Sequence, residues 1–236
     1  MVDPPILPQP LASYNRMDQL HKSLCAAGAA VISDVFDSLS LRPPVLDTAL
    51  FPTRGVGHPF AGPAYTITGE TRAWATGGDR EKLAAIDAMP PGAVPVWAGT
   101  NIRGVCCFGD LLASSMQARG CAGVVVDGGV RDTAYLRTLN MPIMARFRTP
   151  AQAIHRWKVT ASQTAVQVRG AIDDWVTVEP GDTIVADDDG VIVVPQSLLA
   201  EVASLATELS GNESAARQEI LSGLPLLAAL HKYGQL

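Results

Sequence analysis

The passage that constrains this fold most is residues 104–127, which run GVCCF, GDLLASSMQAR, GCAGVVVD. An apolar segment of strand length is followed by a helical segment and then by a β-branched segment of strand length. Gly109–Asp110 opens the helix, with Asp110 as the candidate N-cap, and Gly120 closes it. A strand, a short helix and a second strand form a βαβ unit, which places the two strands parallel in one sheet. After Asp127 the sequence predicts a turn at GGVRD, a short helix at TAYLRTLN and another strand at MPIMAR.

The flanking chain reads more coarsely. Residues 16–40 carry Met17, Leu20, Leu24, Val31, Val35, Phe36 and Leu39 near helical spacing, with Gly28 as an internal break. Pro43, Pro44 and Pro52 force extended chain. A strand is expected within 56–71, a helix over 79–89 stopped by Pro90–Pro91–Gly92, and a strand in AVPVWAG. From about residue 160 the pattern is β-rich: TAVQV, DWVTV, the turn EPGD, TIVADDDG and VIVV, ended by Pro195. Residues 198–209 and 213–222 read as two amphipathic helices separated by Ser210–Gly211–Asn212. The expected organisation is an extended N-terminal arm (1–15), one α/β domain (16–196) and a C-terminal helical tail (197–236).

Composition narrows the function. Hydrophobic residues make up 47% of the chain and charged residues 17%, enough to bury a core. The net charge of −5, with no block of cations, argues against a nucleic-acid partner. No apolar run approaches the roughly 18–20 residues of a membrane span, and the N-terminus has no signal-peptide pattern. Cys25, Cys106, Cys107 and Cys121 have no zinc-like spacing and read as reduced core thiols of a cytoplasmic protein. His21, His58, His155 and His231 are scattered, and Asp187–Asp188–Asp189–Gly190 reads as a hairpin turn. Lys158, in the polar stretch HRWKVTAS, reads as solvated.

Chemistry concentrates in residues 109–132. The helix N-terminus offers the unpaired amides of Leu111 and Leu112 to a carboxylate or phosphate. Arg131 offers a planar fork to a carboxylate or a developing oxyanion. Asp110 and Asp132 both lie just past the carboxyl ends of adjacent parallel strands, where open α/β sheets bind ligands. Two carboxylates without nearby histidine favour a hard, partly hydrated cation such as Mg²⁺. Taken singly, each residue also fits a plainer role: Asp110 and Asp132 as helix caps, Arg131 in a surface ion pair.

GDLLASSMQARGCAGVVVDGGVRDTAYL resembles the signature of the RraA-like family, which includes the class II 4-hydroxy-4-methyl-2-oxoglutarate/4-carboxy-4-hydroxy-2-oxoadipate (pyruvate) aldolases. The matching pattern is a G-[DE]-x-[LA]-A helix start followed by G-x-x-G-x-V-x-D-G-x-x-R-D. FAGPAYTI and VEPGDTIVADDDGVIVVP also resemble family motifs, in the family's order, so the likeness spans about residues 25–223. It implies a β/β/α sandwich with a swivelling-domain-like core, assembled as a homotrimer or hexamer.

The resemblance also implies roles for individual residues. Asp132 is similar to the direct ligand of Mg²⁺ or Mn²⁺, and Asp110 to the carboxylate that holds metal-bound water. Arg131 resembles the arginine that contacts the keto oxygen and stabilises the enolate. Gly109 and the amides of Leu111 and Leu112 correspond to the cradle of the pyruvate carboxylate. Glu213 of a neighbouring subunit best matches the acid that completes the metal's outer shell. The implied activity is cleavage of a 4-hydroxy-2-oxo acid to pyruvate and a second 2-oxo acid, with oxaloacetate decarboxylation as a side activity. The alternative is a regulatory binding protein resembling the ribonuclease E inhibitors of the family. Those are usually shorter, lacking the helical tail that here follows VIVVP. Two departures from the pattern, Phe147 in place of glycine and Ala93 in place of an acid, bear on the substrate and leave the metal residues intact.

Overall fold

A computed structural model describes residues 11–53, 59–73, 78–99 and 102–234. In chain order the elements are α1 (Leu11–Ser38), β1 (Phe51–Pro52), β2 (Phe60–Thr71), α2 (Arg80–Asp87), β3 (Val94–Ala98), β4 (Cys106–Phe108), α3 (Asp110–Ala118), β5 (Val124–Val130) and α4 (Thr133–Leu136). They continue with β6 (Ile143–Arg148), β7 (Trp157–Ser162), β8 (Val166–Arg169), β9 (Trp175–Val178), β10 (Thr183–Ala186), β11 (Val191–Val194), α5 (Leu199–Leu221) and α6 (Leu226–Tyr233).

The main sheet has the order β1-β6-β5-β3-β2-β10-β11, with β4 added against β5 and β7 against β2. Its centre is parallel: β2 with β3, β3 with β5, and β5 with both β4 and β6. The βαβ expectation is therefore met, with Phe108 in register with Val130.

Strand alternation assigns the layers. Val94, Val96 and Val125 face a cluster that includes Val166, Val168, Val176 and Val178 of the separate β8–β9 ribbon. Trp97, Val124 and Val126 face the opposite cluster, under α2, α3 and α4. Burial on both faces explains why these strands read as continuous apolar runs. On β10 and β11 the outward residues Val185, Ile192 and Val194 meet α1 and α5, forming a third cluster. The result is the layered β/β/α arrangement expected of the fold class.

Several local readings change. Residues 11–15, expected as part of an extended arm, are helical; residues 1–10 lie outside the described residues. Gly28, with φ 86°, kinks α1, and the Ala29 amide released by the kink donates to Asp187 Oδ2 at 2.7 Å. The DDDG segment is the expected β10–β11 hairpin turn, with Asp187 N donating to Gly190 O. The break expected at Ser210–Gly211–Asn212 is absent: α5 runs through it. A helical glycine costs about 1 kcal/mol against alanine, and packing of α5 on α1 outweighs that local penalty. β7 is a strand the polar reading of HRWKVTAS missed. Trp157 and Val159 are buried, and Lys158 between them ion-pairs Glu81 at 3.3 Å.

Candidate active site

The site forms where β4 and β5 end together. β5 continues through Gly128 and Gly129 to Val130, so the turn lies at Arg131–Asp132 and not at GGVRD as a whole. Arg131 N donates to Phe108 O at 3.1 Å, holding that turn against the end of β4. The two strand-end pairs, Gly109–Asp110 and Arg131–Asp132, thereby lie side by side.

Asp132 adopts the left-handed conformation (φ 57°, ψ 32°) at the start of α4, yet its side chain makes no capping hydrogen bond. Among non-glycine residues, aspartate is one of the few that enters this region readily, and such residues concentrate at functional sites. The conformation turns the carboxylate back toward β4. Oδ2 accepts from Arg131 Nε at 3.2 Å and from Asp110 N at 3.3 Å. Space for this exists because residue 109 is glycine: a Cβ there would lie 2.7 Å from Asp132 Oδ2 and 3.3 Å from Arg131 Cγ.

Gly109 is the N-cap of α3, and Asp110, expected in that role, is its first helical residue. The Asp110 Oδ1 atom accepts from the Leu111 amide at 2.7 Å, so one of the two amides expected to be open is occupied within the chain. Ala113 N closes the first helical bond onto Gly109 O at 3.1 Å. The Leu112 amide precedes that bond and is open by the geometry of a helix start.

Arg131, whose side chain is 40% exposed, stands between two hollows. One, of about 210 Å³, runs from Gly109, Leu111 and Leu112 past Cys106 and Cys107 to Asp79 and Lys82. The other, of about 280 Å³, lies between Arg131–Asp132 and Arg148–Thr149. Burial pushes the Cys106 thiol up, and the Cys107 thiol up to about 12. Both are protonated at neutral pH and unsuited to act as nucleophiles. Asp79 and Lys82 escaped the sequence reading because DREK looks like a solvated helix start; nothing local marks either residue as belonging to this cavity.

Glu213 is not brought to these turns within the chain. It lies on α5, which packs on α1, and it pairs loosely with Arg217 at 3.9 Å. No group of three or more histidine, cysteine, aspartate or glutamate side chains suited to a metal converges among the described residues. The donor set nevertheless fits a hard cation. It offers two aspartates, and the glycine at 109 leaves room for the inward carboxylate. Mg²⁺ is commonly held by one or two carboxylates and completes its shell from water and substrate.

A layered α/β fold with paired aspartates and an arginine at parallel strand ends defines the class of molecule. A family model described as RraA-like, Aldolase/RraA, matches residues 29–193, and the chain belongs to that family. It is 28% identical over 223 residues to Protein DlpA of Legionella pneumophila, a match covering 94% of this chain but 35% of that protein. The chain thus spans about a third of that relative's length. It is 30% identical over 201 residues to a Halalkalibacterium halodurans protein named "Putative 4-hydroxy-4-methyl-2-oxoglutarate aldolase", covering 84% of this chain and 87% of that one. The crystal structure of Streptomyces coelicolor RraAS2, described as an unusual member of the RNase ES inhibitor RraA protein family, superposes with a TM-score of 0.72 at 29% identity. That match covers 84% of this chain and 96% of RraAS2. No helix among the described residues is long and apolar enough to cross a membrane.

Proposed function

We propose that this protein is a divalent-metal-dependent lyase that cleaves a 4-hydroxy-2-oxo acid, such as 4-hydroxy-4-methyl-2-oxoglutarate, to pyruvate and a second 2-oxo acid. The observation that carries the reading is the Asp132 carboxylate. It is held inward by a left-handed backbone, unused as a cap of its own helix α4, and seated beside Arg131 over a glycine. Held by Asp132, with Asp110 one water further out, Mg²⁺ or Mn²⁺ would act as a Lewis acid on the 2-oxo acid end of the substrate.

The chain's own groups account for the rest. The Leu112 amide, joined by that of Leu111 once Asp110 releases it, takes the C1 carboxylate at the helix N-terminus. Arg131 donates to the C2 oxygen as negative charge gathers there. Asp110 receives the proton of the C4 hydroxyl through an intervening water. The C3–C4 bond breaks and C4 leaves as the carbonyl of the second product. The electron pair passes through C3 to the C2 oxygen, and a proton from water at C3 completes pyruvate. Oxaloacetate decarboxylation passes through the same enolate.

The assembly proposed with this chemistry is a homotrimer or a pair of trimers, in which Glu213 of the neighbouring subunit joins the outer shell of the site. Continuity of α5 supports it, as do Leu221, Leu226, Leu227 and Leu230, exposed together at the α5–α6 corner. Co-assembled Asp132→Ala and Glu213→Ala chains are then expected to recover activity that neither has alone.

The likeness to RraAS2 favours one second reading, a regulatory binding protein without turnover. Pyruvate release from 4-hydroxy-4-methyl-2-oxoglutarate and from oxaloacetate, with Mg²⁺ or Mn²⁺ and again with excess EDTA, separates the two. Release that EDTA abolishes supports the lyase; no release with either metal overturns it.

A further inference from the structure

The cavity beside Arg131 holds a second cation that the proposed reaction does not use. Lys82 lies on α2 and is only 8% exposed. Its ammonium lies against two aromatic rings, with Nζ 5.9 Å from the Trp97 ring centroid and 5.7 Å from that of Trp157. No described carboxylate pairs with it. Asp79, next to it in the cavity, spends Oδ2 on the Val159 amide at 2.9 Å and Oδ1 on the backbone amide of Lys82 at 3.2 Å. Glu81, adjacent in sequence, pairs instead with Lys158. A buried charge without a counter-ion is costly, and aromatic faces offset only part of that cost.

That ammonium lines the same hollow as Leu111, Leu112 and Arg131. At about 210 Å³ the hollow suits a short organic acid and is smaller than a typical drug-sized ligand pocket. It therefore carries two stations for negative charge: the α3 N-terminus with Arg131, and Lys82. We propose that Lys82 is the residue that anchors the second carboxylate of a substrate such as 4-hydroxy-4-methyl-2-oxoglutarate, and so sets the pocket's preference for dicarboxylic over monocarboxylic 2-oxo acids. The inference rests on the proposed reading for the C1 end of the ligand. It adds the residue that receives the far carboxylate such a substrate carries: Lys82, whose ammonium is in ion-pair contact with no carboxylate among the described residues.

The test compares 2-oxoglutarate with 2-oxopentanoate, which differ only by a carboxylate in place of a methyl group, by calorimetry on the full chain with Mg²⁺. A charge-assisted hydrogen bond is expected to make 2-oxoglutarate bind about tenfold to a hundredfold more tightly. In Lys82→Met, which keeps an apolar stem against both tryptophans, the ratio is expected to fall to within about twofold. Equal affinities in the unaltered protein overturn the proposal without recourse to any variant. A ratio that persists in folded Lys82→Met overturns it as well. The binding ratio does not depend on turnover. A preserved ratio without pyruvate release defeats the lyase reading alone, and release with a ratio of one defeats the Lys82 assignment alone.

Discussion

Two arginine–aspartate clusters, one at Asp127 within β5 and one at Asp132 just past its end, differ in how far their charges are buried. At Asp127, Arg146 reaches two carboxylates, bonding Asp127 through Nε at 2.5 Å and Asp47 through Nη1 at 2.6 Å. Those side chains are only 18%, 5% and 26% exposed. At the strand's end, Arg131 and Asp132 are 40% and 36% exposed and share a single contact at 3.2 Å. The first cluster spends its carboxylates inside the protein; the second leaves donor and acceptor capacity facing a cavity. The same residue types build a buried joint in one place and, in the proposed function, a reactive surface in the other, and solvent access makes the difference.

Five substitutions probe that contrast. The largest effect is expected at the open cluster. Asp132→Ala is expected to abolish metal-dependent pyruvate release while shifting the thermal midpoint little, and Arg131→Lys to lower kcat by about 10²–10³ because lysine lacks the planar fork. Full activity in either variant would remove the functional half of the contrast. Arg146→Leu is expected to do the reverse. Leaving Asp127 buried without its partner costs about 3–5 kcal/mol, read by urea denaturation, and an unchanged midpoint would show that the triad is not a structural joint.

Gly109→Ala is a smaller perturbation. Its Cβ would displace the Asp132 carboxylate, so kcat is expected to fall by about tenfold to a hundredfold, with the fold retained by circular dichroism. The smallest effect is one of pH. Burial pushes the Asp47 carboxyl up, but the Ala49 amide and Arg146 more than offset this, and its pKa lies below the ordinary value. The unfolded chain therefore binds the proton first, so the contribution of Asp47 is full above about pH 4 and is lost as pH falls below that. Urea midpoints measured from pH 5 to pH 2 are expected to fall less steeply in Asp47→Asn than in the unaltered protein; parallel curves would detach Asp47 from the acid limb.

Much of this arrangement is legible along the chain. Apolar runs of strand length on either side of a capped helix predict parallel β4 and β5, and with them the neighbourhood of Asp110, Arg131 and Asp132. The misreadings share one origin. Gly211–Asn212 looks like a helix break and HRWKVTAS like a polar, solvated stretch because local preference is all that a short window reports. Packing on α1 carries the helix through, and pairing with β2 makes the polar stretch a strand.

What the sequence by itself determined was the family, the order of the central elements and the strand-end position of both aspartates, since each depends on short-range periodicity and turn chemistry. The tertiary structure alone decided that the Asp132 side chain turns inward instead of capping α4, that Asp110 occupies the Leu111 amide, and that Lys82 lies in the same cavity against two tryptophans. Trp97 and Trp157 stand 15 and 75 residues beyond Lys82 in the chain. Burial of that ammonium is set by how α2, β3 and β7 pack against one another, which no local pattern encodes.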